Sequence, residues 1–370
     1  MKLRVLLAAA LIFSTNDLNL AAGQAPPQTL PSQHRVRTAG EISDLVANAA
    51  AGDAKAQTAL GRAYAEGSGV PQDFQQALQW YLKAANQGNG EAENEIGILY
   101  RYGNGVEKSK EEALNWYRKA AHHGSAAAMF NIGVAYYNGD GIFVDDTKSY
   151  TWFLAAQEAG DLSANDAVQR SERERDSLRQ IDAYLDLAEM YRVGQELPKN
   201  EAAAAKRYRK AADTGNLSAQ VHLAAMMILG QLNPPDYAQA RRWCESAAKK
   251  NYSPGAFCMG LLYRNGALGP ASEAEAVKWF SRAAELGNGS AMLYLGRDFW
   301  KGDGLKLDKE KAYEWLLLAR SAGNLEANAD IEAIHKELTP SQVKKVEQKA
   351  MKWSREHSRL ATPTVMQLTP

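Results

Sequence analysis

The sequence predicts an all-α fold, a right-handed α/α superhelical solenoid built from helix–turn–helix repeats. Three observations predict it. The first is self-similarity at a shift of 36 residues, the signature of a repeat architecture. Ala56, Ala92, Ala128, Ala183, Ala219, Gly255 and Ala291 share one column. Four positions on come Leu60, Ile96, Ile132, Leu187, Leu223, Met259 and Leu295, and four further Tyr64, Tyr100, Tyr136, Tyr191, Met227, Tyr263 and Phe299. Two steps of four place all three columns on one helical face. The second observation is a column that is always small, Gly61, Gly97, Gly133, Ala188, Ala224, Gly260 and Gly296. Glycine inside a helix costs about 1 kcal/mol relative to alanine, so these positions imply close approach of a neighbouring helix. The third is a tryptophan column on a second helix, Trp80, Trp116, Trp152, Trp243, Trp279 and Trp315, interrupted by Arg207. It absorbs six of the eight tryptophans as a packing position.

The elements follow in chain order. Lys2 and Arg4 precede the apolar run Val5 to Phe13, and small residues follow at Ala21, Ala22, Gly23 and Ala25. Residues 1–25 read as a signal peptide, with an apolar core far short of the roughly 20 residues that span a bilayer. Residues 26–40, with Pro26, Pro27 and Pro31, read as a flexible linker. Residues 41–160 hold repeats 1–3. Residues 161–179 interrupt the period, because Gly52, Gly88, Gly124 and Gly160 keep it and Gly215 does not. This stretch is expected to be a helical insert, either the end of an older array or one long helix inside a continuous solenoid. Residues 180–322 hold repeats 4–7. Residues 323–357 form a helical cap, since Glu332 and His335 replace the small and aromatic columns. Residues 358–370 read as a disordered tail.

Within each repeat, Gly67, Gly103, Gly139, Gly194, Gly230, Gly266 or Gly302 ends the first helix, where a left-handed residue is wanted. Asp73, Ser109, Asp145, Asn200, Asp236, Ser272 or Asp308 starts the second, each a good N-cap. Gln76, Glu112, Gln239 and Glu275 stand where capping boxes would be completed. Each hairpin exposes more apolar surface than it can bury alone, so stacking completes the core.

The stretches Ala56-Gln-Thr-Ala-Leu-Gly-Arg-Ala-Tyr64, Gly67-Ser-Gly-Val-Pro-Gln-Asp73 and Ala77-Leu-Gln-Trp-Tyr-Leu-Lys-Ala-Ala85 resemble the Sel1-like repeat family, a tetratricopeptide relative. The resemblance covers roughly residues 41–335. Repeats 4 and 5 depart from the pattern at Glu196, Leu232 and Arg207.

Signals for chemistry are weak. The histidines at 34, 122, 123, 222, 335 and 357 show no metal-ligand spacing. His122-His123 reads as a solvated pair. Asp140, Asp145 and Asp146 lack the spacing of an EF-hand, and Asp145 is explained as a cap. Ser246-Ala-Ala-Lys249 matches the S-x-x-K of serine β-lactamases, but no S-D-N or K-T-G follows. Neither enzyme activity nor a cofactor or metal is expected. Lys+Arg and Asp+Glu balance at 43 each, so no nucleic-acid partner is expected. Cys244 and Cys258 each lie seven residues from Asn251, the turn between two antiparallel helices. A disulfide is expected if they face each other. The alternative is two independent small core residues.

First helices usually line the concave surface of such solenoids. Two columns vary there. One reads Ala65, Arg101, Tyr137, Arg192, Ile228, Arg264 and Trp300; the other reads Ala59, Glu95, Asn131, Asp186, His222, Cys258 and Tyr294. Arg101, Tyr137, Arg192, Arg264, Tyr294 and Trp300 are the candidate partner-binding residues, because Arg, Tyr and Trp are enriched at hot spots. Surface drift is the competing explanation for the variation. The expected function is an exported scaffold, periplasmic or secreted, that binds a protein or peptide on its concave face. No membrane span is expected after signal cleavage. The resemblance allows an alternative, a cell-envelope regulator or assembly factor for peptidoglycan or exopolysaccharide machinery. A hydrolase of the β-lactamase type is a distant third.

Overall fold

The computed structural model describes residues 38–174, 176–232 and 234–357. The expected signal peptide, linker residues 26–37 and the tail 358–370 lie outside them. Among the described residues are eighteen helices and no strand. They are α1 (Ala39–Ala50), α2 (Ala54–Glu66), α3 (Phe74–Ala85), α4 (Gly90–Tyr102), α5 (Lys110–His122), α6 (Ala126–Asn138), α7 (Asp146–Glu158), α8 (Ser163–Glu174) and α9 (Ser177–Val193). There follow α10 (Glu201–Asp213), α11 (Leu217–Ile228), α12 (Tyr237–Lys249), α13 (Ser253–Arg264), α14 (Glu273–Glu285), α15 (Gly289–Lys301), α16 (Lys309–Ser321), α17 (Ala327–His335) and α18 (Pro340–Glu356). The chain divides into two compact units, one ending at Ala204 and the other beginning at Ala205, inside α10. The last residues assigned to the linker, Ala39 and Gly40, already belong to α1, because Thr38 and Glu41 cap it reciprocally.

In the first unit the hairpins α2–α3, α4–α5 and α6–α7 stack in sequence, α3 on α4 and α5 on α6. The small column explains how the helices close. A Cβ added at Gly61 would lie 2.6 Å from Tyr81, one at Gly97 2.5 Å from Tyr117, and one at Gly133 2.6 Å from Phe153. The aromatic ring of the second helix therefore lies flat on the glycine of the first. Gly97→Val should cost about 1–3 kcal/mol despite removing a helical glycine, because the ring of Tyr117 has no room to retreat. A lowered urea midpoint checks this; an unchanged one would show that the notch relaxes. In the second unit Cys244 takes the aromatic position and Ala224 takes the glycine position of the same hairpin, so the smaller group admits a Cβ.

The tryptophan column is less uniform than its periodicity implies. Trp152 is buried, but Trp80, Trp116, Trp243, Trp279 and Trp315 are half-buried. Lys83 lies 3.8 Å above the Trp80 ring and Lys119 4.1 Å above Trp116, so an i+3 cation covers the outer face.

The turns use their caps differently from the expected capping boxes. Asp73 accepts from the backbone N–H of Gln76, and Ser109, Asp145, Asp236, Ser272 and Asp308 do the equivalent. The return bond from Gln76, Glu112, Gln239 or Glu275 is not made. At Asp73, Ser109 and Ser272 the N-cap N–H already donates to the carbonyl of Tyr64, Tyr100 and Tyr263 respectively. The donor that a box would satisfy is spent on closing the hairpin. Among the described residues, full boxes are seen at Thr38/Glu41 and Thr339/Gln342, where no hairpin precedes the helix in this way.

The irregular segments share one construction. After α7, α8 and then α9 both pack on α7; after α16, α17 and then α18 both pack on α16. Tyr150 on α7 donates to Glu172 and Tyr313 on α16 to Glu347, both from buried rings. Asp186 on α9 is fastened to Lys148 at 2.6 Å, and Glu310 on α16 to Lys345 of α18 at 3.0 Å.

Candidate functional site

The first helices meet each other directly, as α4 with α6, α11 with α13 and α15 with α17. Side-chain bonds between neighbouring repeats concentrate there. Arg62 on α2 reaches Glu91 at 2.6 Å and Glu95 at 3.0 Å on α4. Asn131 on α6 donates to Asn94 on α4 at 2.9 Å. Arg264 on α13 reaches Asp298 on α15 at 2.7 Å, and Arg297 on α15 reaches Asp330 on α17 at 2.7 Å. Arg62–Glu95 and Arg297–Asp330 span the same 33-residue step, near opposite ends of the chain. Of the variable column that contains them, Glu95 and Asn131 thus act as polar latches between repeats, while Cys258 enters a disulfide and Tyr294 packs on aromatic rings.

Most candidate partner-binding residues have partners inside the chain. Arg101 bonds Asp140 at 3.3 Å, an anion that Lys110 also holds at 2.6 Å. Arg192 forks onto Glu189 one turn earlier. Arg264 also bonds Glu273 at 2.9 Å and lies 4.7 Å above the Phe280 ring. Tyr294 packs edge-on to Phe257 at 5.4 Å and beside Phe280 at 5.2 Å. Trp300 rests on the core of the second unit. Lys309 pairs with Glu337 at 2.8 Å and holds its carboxyl below the usual range. Tyr137 is half-buried at the end of α6.

Tyrosines stand at the ends of α2, α4 and α6: Tyr64 and Tyr100 pack against the core, Tyr136 and Tyr137 are half-buried, and Tyr102 is 46% exposed. Tyr102 escaped the column reasoning because it follows the variable column by one position, where Glu66 and Asn138 stand in the neighbouring repeats. Rigid amphipathic rings of this kind offer contact area at low entropic cost.

The other chemical signals resolve into structure. His123 is not merely solvated: its Nδ1 lies 2.7 Å from the buried carboxylate of Glu93. Asp145 caps α7 and Asp140 holds Arg101. Lys249 pairs with Glu245 at 2.9 Å, and Ser246 faces solvent. Cys244 and Cys258 form a disulfide between α12 and α13. Among the described residues no group of three His, Cys, Asp or Glu side chains could hold a metal ion. No helix among them is long and apolar enough to cross a membrane.

The family described as Sel1 repeat matches residues 54–89, 90–125, 126–161, 181–216, 217–252, 254–288, 289–324 and 338–356. The chain belongs to the Sel1 repeat family. Seven matches coincide with the seven hairpin units, and the eighth falls on α18, which the sequence reads as part of the cap. The Sel1 matches skip 162–180, so the period breaks where α8 and the start of α9 lie. Sel1 repeat proteins generally mediate protein–protein interaction. Similar solved structures include c5321, a protective antigen present in uropathogenic Escherichia coli strains and displaying an SLR fold. It is 27% identical over 91% of this chain and 76% of its own, with a TM-score of 0.45. A Sel1 repeat protein from Oxalobacter formigenes is 27% identical over 79% of this chain and 90% of its own, with a TM-score of 0.34. A putative sel1 repeat protein from Klebsiella pneumoniae is 18% identical over 80% and 99%, with a TM-score of 0.23. A comparison with curated proteins gives no match.

Proposed function

We propose that this Sel1 repeat protein is an exported scaffold that binds a protein or peptide segment along the first-helix face of its N-terminal unit. The observation that carries the reading is a pair of tyrosines outside the core column, the exposed Tyr102 at the end of α4 and the half-buried Tyr137 at the end of α6. Tyr102 and Tyr137 are the contact residues. Arg101, Arg192, Arg264 and Tyr294 hold repeats and helices in place, and Trp300 packs on the core of the second unit. Lys2, Arg4 and the apolar run to Phe13 support export, and so does a disulfide, which persists in oxidising compartments.

The test is affinity purification with the full-length protein from its own envelope fraction, followed by titration of the recovered partner. Tyr102→Ala with Tyr137→Ala should weaken binding by about 2 kcal/mol or more, the scale of hot-spot truncation, with helicity unchanged. Binding unchanged in the double variant would remove the first-helix face from the function. Recovery of the mature chain in the cytosol with residues 1–25 attached would remove the export reading.

A further inference from the structure

We propose that the chain's own segment, residues 26–37, docks on the end of α4 and α6 that carries Tyr102 and Tyr137 and competes there with the partner. This rests on the scaffold reading above and concerns the regulation of its site.

Topology brings the segment to that place. Residues 51–53 join α1 to α2, and the two helices pack on each other. A connection this short makes neighbouring helices antiparallel. Thr38, which caps α1, therefore stands at the end where α2 finishes at Glu66. After one returning helix each, α4 and α6 run in the direction of α2 and finish at the same end, at Tyr102 and Asn138. The chain that leads into Thr38 thus arrives beside the contact tyrosines. Helices packed at roughly 8–10 Å put the end of α4 two spacings from α1, about 20 Å, and the end of α6 three, about 30 Å. Twelve residues reach about 37 Å at ~3.1 Å each.

The surface they reach is apolar. Tyr102 is 46% exposed, and Phe143 in the turn after α6 is 93% exposed, more than any other large apolar side chain among the described residues. That turn is fastened to the repeat of Tyr102. Arg101 and Lys110 both bond its Asp140, and the Arg101 guanidinium lies 5.7 Å from the Tyr102 ring. Tyr102 and the turn that carries Phe143 belong to one surface.

The segment has matching chemistry. Pro26, Pro27 and Pro31 fix φ near −65°, so little entropy is lost on lying extended, and proline-rich stretches dock on aromatic rings for that reason. Leu30 and Val36 add apolar area. Arg35 and Arg37 immediately precede α1, and Glu66 is exposed at the end of α2 where they arrive. The unit as a whole attracts cations: residues 38–204 hold 15 Lys+Arg against 25 Asp+Glu. Tethering favours the chain's own segment over that of a second copy, because a short linker gives an effective concentration in the mM range.

The experiment places p-benzoylphenylalanine at Leu30 of the full-length mature protein, irradiates it, and maps the products by mass spectrometry. Expected are links within one chain to residues 100–104 and 137–144, unchanged on dilution. No links, links elsewhere, or links between chains would overturn the proposal. A second arm titrates a labelled peptide of residues 26–37, read by fluorescence anisotropy, into the natural chain and into one carrying Pro26→Ser, Pro27→Ser, Pro31→Ser, Arg35→Gln and Arg37→Gln. The substituted chain should bind the peptide about tenfold more tightly or better, since its own segment no longer competes. Adding Tyr102→Ala with Tyr137→Ala should then weaken peptide binding about tenfold or more. Equal binding by the two chains, or binding indifferent to the tyrosine changes, also overturns it. A recovered partner whose affinity still depends on Tyr102 and Tyr137 would in those cases leave the scaffold reading standing, so the two readings fail separately.

Discussion

Arg264→Ala should destabilise the second unit by about 3–5 kcal/mol, the cost of leaving a buried charge without its partner. The Asp298 side chain is 4% exposed, and Arg264 bonds it at 2.7 Å. Glu273 and the Phe280 and Tyr294 rings fix the guanidinium from its other sides. Truncation therefore removes an ion pair, a latch between α13 and α15, and the aromatic contacts together. Burial already holds the Asp298 carboxyl above its ordinary range, with Arg264 opposing the shift. A carboxyl raised in this way contributes stability below its unfolded pKa and loses it as pH rises through the folded pKa. Removing Arg264 raises the folded value further. The deficit of the variant should therefore be largest near neutral pH and shrink in acid, as Asp298 takes up a proton. Adding Asp298→Asn should recover much of the loss, as coupled neighbours do in a double-mutant cycle. Urea midpoints at neutral and acid pH check these statements; a loss independent of pH would assign the effect to packing alone.

The second large effect belongs to the disulfide. Cys244 and Cys258 are 14 residues apart and both fully buried. Closing a loop of this size stabilises by about 3 kcal/mol through the unfolded chain. Cys244 also stands where other hairpins place a large aromatic or leucine. Cys244→Ala, Cys258→Ala and the double variant should lose similar amounts, since either change removes the same bond. Thermal unfolding with and without reductant measures the loss. Alkylation of two thiols in the native protein would show that the bond is not formed.

Periodicity made the hairpins, their caps and the close helix approach at the small column readable, because a helix repeats its environment every 3.6 residues and a solenoid repeats it every 36. The same logic failed where a residue's partner belongs to the next repeat. Arg101, Arg264 and Tyr294 stood out as candidate partner contacts because their columns vary. They vary because Asp140, Asp298 and Phe257 are different partners at different interfaces. Gln76 and Glu112 looked like capping-box residues because the box is a local pattern. The carbonyls of Tyr64 and Tyr100 had taken the N-cap donors across the hairpin.

Sequence alone determined that this chain is an array of stacked helical hairpins, since spacing, small columns and caps are properties of neighbouring residues along one chain. Only the tertiary structure decided which side chains remain available to a partner. Availability depends on who stands opposite, and that is a distance across about 33 residues of chain, as between Arg62 and Glu95. It also showed the unpaired hydroxyl of Tyr81, which in sequence is one more aromatic in a column of aromatics.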